Sequence, residues 1–265
     1  MSRPENLPDF SSPPLDELVM GVQFVPLAGY TVVAAQDIWN LFRDEFPGLE
    51  QQPPIPPQFE AFGGWSPQPS FSFQFNVQLP SPRLWFVSED GNHLIQFQHD
   101  RLMLNWRRIN GEGIYPRFEN IVERFASHLV KLGDQIQSAF GQKLEISQSE
   151  VSYINVIRVE SYAEVGRWIE GAGALYGDSE IIASNSAKVL HRGGDTMARM
   201  HNELHSAMSG DMSHKAIRMA LTVRGKPQTS EITSAIEFIR FGREAIVNEF
   251  AALTTKYAHE AWGRK

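Results

Sequence analysis

Two long amphipathic stretches constrain this chain more than anything else in it. "YPRFENIVERFASHLVKLGDQI" (115 to 136) sets Phe118, Ile121, Val122, Phe125, Leu129 and Leu132 on one helical face, with Pro116 at its start. "AIEFIRFGREAIVNEFAALTTKYAHEAWGRK" closes the chain, and its stripe of Ile236, Ile239, Ala245 or Ile246, Phe250, Leu253, Tyr257 and Trp262 predicts one long helix over 230 to 262. A helix with one apolar face must bury it, and the block before each stretch has the two-residue alternation of strands.

The elements come in the same order twice. In the first half, "ELVMGVQFVPLAGY" (17 to 30) reads as a buried strand and turn. "TVVAAQDIWNLFRDEFPG" then places Ala34, Ile38, Leu41, Phe42 and Phe46 at helical spacing, between a Thr31 cap and a stop at Pro47 and Gly48. "FSFQFNVQL" (71 to 79) alternates as a strand. "RLWFVSEDGNHLIQFQHDRLMLNWRRI" adds two more strands around an "EDGN" turn, and a third after a bend at Asp100 and Arg101. In the second half, 144 to 162 is a long strand, "AEVGRWIEG" a short helix, 178 to 224 a β-rich block, and the final helix follows.

The expected fold is therefore α+β: a curved antiparallel sheet covered by long helices, built from a duplicated strand-helix-meander-helix unit. The halves would be 15 to 141 and 142 to 265 in one compact unit, behind a flexible arm of residues 1 to 14 with four prolines. The alternative is one α+β domain without internal symmetry. Several strands are apolar on both sides, so alternation leaves open which sheet face meets the helices.

Residues 47 to 70 hold seven of the sixteen prolines. They read as a surface connection of polyproline character, with Phe59, Phe62 and Trp65 as anchors onto its own domain, or as a docking peptide for an aromatic groove.

Two polar constellations are candidate binding sites. In "LIQFQHDRLMLNWRRI", Gln96, Gln98 and Asp100 share one strand face and need hydrogen-bond partners if buried. Asn105, Trp106 and Arg107 add donors beside an aromatic ring. In "RMHNELHSAM", Arg199, His201, Glu203 and His205 alternate along one side. On a helix, histidines four apart sit roughly 6 Å from each other and can share a zinc ion; on a strand they lie about 13 Å apart. The neighbouring "KAIRMALTVRG" alternates as a strand after a "SGDMSH" turn, so "HNELH" is expected on a strand, with Arg218 or Arg224 pairing Glu203 across the hairpin.

No catalytic residue is selected, because no GxGxxG, P-loop, GxSxG or kinase pattern occurs. No cysteine is present, which excludes disulfides, thiolate zinc sites and cysteine nucleophiles. A formal charge of −7 argues against general binding to nucleic-acid backbones. The absence of an apolar leader or bilayer-spanning run predicts a cytoplasmic protein without membrane association.

"PPLDELVMGVQF", "LPSPRLWFVSEDGNHLIQFQHDRLMLNWRR", "YPRFE", "SEVSYINVI" and the terminal "HEAWGRK" together resemble a sporadically distributed bacterial protein family of unknown function. The likeness runs over almost the whole chain. It implies a bacterial cytoplasmic protein from accessory gene clusters and carries no catalytic residues. The expected function is that of a non-enzymatic binding protein acting through a protein partner, in a defence or toxin–antitoxin module, with no cofactor. A homodimer through the C-terminal helix is an expected alternative use of its stripe. Two further readings are a small-ligand sensor whose pocket between sheet and helices is lined by Gln96, Gln98, Asp100 and Asn105, and a metal-dependent hydrolase using His201, Glu203 and His205.

Overall fold

The computed structural model describes residues 6–63, 81–109, 111–193, 195–208 and 213–265. The strand expected at 71 to 79 and the anchor Trp65 lie outside them. The described residues form one antiparallel sheet of nine strands: β1 (Leu15–Phe24), β2 (Gly48–Gln52), β3 (Arg83–Val87), β4 (His93–Gln98), β5 (Arg101–Arg107), β6 (Ile146–Val159), β7 (Ala183–Arg192), β8 (Asp195–Met208) and β9 (Lys215–Gly225). The helices are α1 (Ala35–Asn40), α2 (Phe118–Phe140), α3 (Val165–Trp168), α4 (Ala172–Tyr176), α5 (Ile232–Leu253) and α6 (Lys256–Ala261). The architecture is the expected α+β curved sheet under long helices.

The strand order is β2-β3-β4-β5-β1-β6-β9-β8-β7. Each half places its first strand at the centre and its last strand beside it, then works outward in reverse. β1 is followed by β5, β4 and β3, and β6 by β9, β8 and β7. The central β1–β6 ladder, from Leu15 opposite Asn155 to Phe24 opposite Ile146, joins the two runs.

Register decides which face carries the core. Leu18, Met20 and Val22 of β1 stand opposite Trp106, Leu104 and Leu102 of β5 and opposite Tyr153, Val151 and Ser149 of β6, all on the helix side. Phe125, Leu129 and Leu132 of α2 and Ile239, Ile246 and Phe250 of α5 complete that core. The α5 stripe is thus buried within the chain. Gly242 lets α5 approach closely, since a Cβ there would lie 2.6 Å from Cγ1 of Val151.

Four expectations are corrected. Gly48 to Gln52 continue as an edge strand on β3 rather than joining the proline-rich connection, because the prolines that block ladder pairing begin only at Pro53. The segment 31 to 46 is a short 3-10 turn plus α1, after which turns carry the buried Phe42 and Phe46 inward. The last helix breaks at Thr254, whose Oγ1 donates to the Phe250 carbonyl, and Thr255 caps a new helix by accepting from Ala258 N–H at 3.1 Å. Residues 6 to 14 are docked rather than a free arm. Leu7 and Phe10 are buried, the Phe10 ring meets Phe250 and Trp262, and the Ser11 and Ser12 amides donate to the Gly263 and Trp262 carbonyls. That contact recruits the "HEAWGRK" end of the chain.

No helix among the described residues is long and apolar enough to cross a membrane.

Candidate functional site

Strand side chains alternate, so the residues between the core positions point to the opposite face, and there the sheet is polar. Registered pairs place Gln96 and Gln98 of β4, Arg101 and Asn105 of β5, Gln23 of β1, Glu150 of β6, Arg224 of β9, and Arg199, His201, Glu203 and His205 of β8 on this one face. The two constellations seen in the sequence are therefore brought together. They lie away from the helices, which overturns the expectation of a pocket between sheet and helices lined by Gln96, Gln98, Asp100 and Asn105.

Gln96 is the hub at one end. Its Oε1 accepts from Arg83 Nη1 at 2.6 Å and Trp85 Nε1 at 3.1 Å, its Nε2 donates to Asn105 Oδ1 at 2.9 Å, and Asn105 donates to Glu17 at 2.6 Å. Asp100 and Arg101 form a buried pair through two 3.1 Å bonds, and Gln98 donates to Asp100 at 3.1 Å. These polar groups satisfy one another, as burial requires. Trp106 does not belong with them. It follows Asn105 by one residue, so it faces the core and packs its ring 5.1 Å from that of Tyr115. The aromatic platform is Trp85 instead, with the guanidinium carbons of Arg83 and Arg107 at 5.5 and 5.6 Å from its ring centre.

Across this face runs the proline-rich segment 53 to 63, here called the strap. Gln98 Nε2 donates to the Ile55 carbonyl at 3.1 Å while its Oε1 accepts from the Ile55 amide at 2.9 Å. Gln23 does the same for Gln58, at 2.6 and 2.8 Å. Arg199 then donates to the Ala61 carbonyl at 2.8 Å. Contacts thus fall at 55, 58 and 61, the three-residue period of an extended polyproline helix. At about 3.1 Å per residue, three residues advance about 9 Å, close to the two strand spacings of about 4.8 Å that separate β4 from β1. In "PPIPPQ" the prolines lack N–H groups, and Ile55 and Gln58 supply the amides the glutamines need.

The far end is held by charge. Glu60, with a side chain only 5% exposed, accepts from Arg199 at 2.9 Å, is bonded to His201 Nε2 at 2.7 Å, and lies 3.5 Å from Arg224. Burial pushes its carboxyl up, but the His201 hydrogen bond and the charges of His201, Arg224 and Arg199 outweigh this and hold it below the usual carboxylate range. The Arg199 guanidinium also lies 5.3 Å from the Phe62 ring centre. Of the expected aromatic anchors that the structure describes, Phe62 meets Arg199 whereas Phe59 is 63% exposed, and main chain and charge supply the other contacts of the strap. A polar face offers a phenyl ring only a cation such as Arg199 to stack on, whereas it offers main chain many hydrogen bonds.

"HNELH" lies on β8 as a strand. Glu203 is 3.6 Å from Arg218 across the hairpin, and His205 is bonded to Asn185 at 3.1 Å. Among the described residues no group of three His, Asp or Glu side chains is placed to hold a metal ion. Residues of the face not singled out in the sequence are Gln23, Glu60, Arg83, Trp85 and Glu150; Arg224, one of the two partners expected for Glu203, meets Glu150 at 2.7 Å and Glu60 at 3.5 Å instead. None of them carried a local signal: Trp85 stands between Leu84 and Phe86, and Arg107 reaches its ring from another strand.

The chain matches no protein-family model and no curated protein, so the family resemblance rests on the quoted residues alone.

Proposed function

We propose that this is a non-enzymatic binding protein whose polar sheet face holds an extended, proline-containing segment of a protein partner, in the place its own strap occupies. The observation that carries this reading is the paired hydrogen bonding of Gln23 and Gln98. Each glutamine meets the amide and carbonyl of a single strap residue, as a neighbouring strand would. Recognition of main chain at a three-residue step accepts any sequence that leaves an N–H at those positions. The Glu60 cluster adds selection for a carboxylate farther along. Within a defence or toxin–antitoxin module, the setting the resemblance implies, the partner would be the component carrying such a segment.

The test replaces residues 53 to 62 by a Gly/Ser stretch of equal length and titrates the folded variant with labelled PPIPPQFEAF. Saturable binding is expected, much weaker binding by the intact protein, and a loss of about tenfold or more when Gln23→Met is added. A folded variant that leaves the peptide free would sink the proposal.

A further inference from the structure

On the other side of the sheet, between β6, the start of α2 and the end of α5, lies a cavity of about 70 Å³. One water needs about 10–15 Å³ on this measure, so the space holds on the order of five to seven atoms of water size. It lies where the two halves meet, a common place for small-molecule sites. The rings of Phe10, Phe118, Tyr153 and Phe250 line it together with Ile246 and Val247.

The polar end is Arg243 of α5, 5% exposed. Its Nη2 donates to Glu119 at 3.2 Å, and its guanidinium carbon lies 5.1 Å from the Phe118 ring centre. Its Nε is buried and has no partner. Such a donor is an unmet demand for an acceptor. Inside, charge is already balanced because Arg243 pairs with Glu119, while at the rim Asp9 is shared by Arg117, at 3.0 Å, and Lys265, at 3.2 Å. A charged guest drawn inside would sit beside the closed Arg243–Glu119 pair with no counter-ion of its own, which is unfavourable. Arg117 also has φ 71° and ψ 147°, a backbone region that residues other than glycine rarely adopt and that recurs at ligand clamps. From there it holds the segment that closes the cavity.

We propose that this cavity binds a compact neutral molecule of about five to seven non-hydrogen atoms, with one acceptor oxygen on Arg243 Nε and an apolar skeleton against the phenylalanine rings. A small cyclic ketone or lactone has this chemistry. The site is separate from the strap face and does not depend on the peptide reading.

The test titrates the intact protein with cyclopentanone, and with butyrate as a charged molecule of similar size, reading the Arg243 Nε–H and the Ile246 and Val247 methyl resonances by NMR. Saturable shifts confined to these groups are expected with cyclopentanone, with butyrate at least about tenfold weaker. Val247→Phe, which fills the space, should abolish them. If that variant does not fold, the wild-type shifts decide alone. Absent or unsaturable shifts, shifts centred elsewhere, or equal binding of butyrate would overturn the proposal.

Discussion

Gln98→Met is the sharpest perturbation of the strap, because methionine keeps an unbranched side chain of similar length while removing both amide groups. Besides its 3.1 Å bond to Asp100, Gln98 would lose the bonds of 2.9 and 3.1 Å that hold the strap at Ile55, each contributing about 1 kcal/mol, so the strap should be loosened locally by about 2 kcal/mol. That corresponds to about a 30-fold larger open population. Amide hydrogen exchange reads it directly: prolines at 53, 54, 56 and 57 have no amide signal, so Ile55 and Gln58 report in isolation. The Ile55 amide should exchange about 30-fold faster in the variant, with protection in β1 and β6 unchanged. Gln58 distinguishes two modes of release. It keeps its bond to Gln23 and is slow if the contacts open one at a time, but it accelerates with Ile55 if the strap lifts as a unit. An unchanged Ile55 rate in a folded Gln98→Met protein would refute the idea that the glutamine holds the strap.

Two further outcomes test the core. His128 is buried between the rings of Phe42 and Phe46 with both ring nitrogens unpartnered, and burial lowers its pKa to about 4, with Glu45 opposing and Arg124 and Lys131 assisting. The unfolded chain protonates this histidine near 6.5 and the folded one only near 4, so stability falls as pH drops through 6.5 and the loss is complete near 4. At 1.36 kcal/mol per pKa unit the loss is about 3 kcal/mol. Urea melts of His128→Leu should show that variant gaining about this much on the wild type between pH 7.5 and 4, and parallel curves would refute the assignment. The second outcome is a difference in sign between two helical glycines. Gly242→Ala places a methyl 2.6 Å from Val151 and should destabilise by about 1–2 kcal/mol, whereas at Gly133 the nearest atoms are 3.8 Å away and alanine should stabilise by about 0.5–1 kcal/mol. Thermal melts of the two variants shifting in the same direction would contradict the packing described.

The α+β class, the two long helices, the order of elements and the strand state of "HNELH" were legible in the sequence because they rest on local periodicity. Gln96, Gln98 and Asp100 were legible as residues needing partners, since amides and carboxylates stand out in apolar strands. Their partners were not. Gln98 bonds Ile55, 43 positions away, and Arg199 meets Glu60 at a separation of 139. Alternation places Asn105 and Trp106 on opposite faces but does not say which face the helices cover. That was decided by the registers that stack Leu18, Met20 and Val22 with the core residues of β5 and β6.

The sequence by itself determined most of the strands and the two long amphipathic helices, though not the edge strand Gly48–Gln52 or the break at Thr254, and in 53 to 58 it leaves amides only at Ile55, between Pro54 and Pro56, and at Gln58, after Pro57. Only the tertiary structure decided that the strap crosses the polar face and that residues 6 to 14 dock on the C-terminal end. Hydrophobic period is a property of neighbours along the chain. The choice of which polar group meets which backbone amide is made only when sheet registry fixes Gln23 and Gln98 two strands apart, at the step of an extended chain.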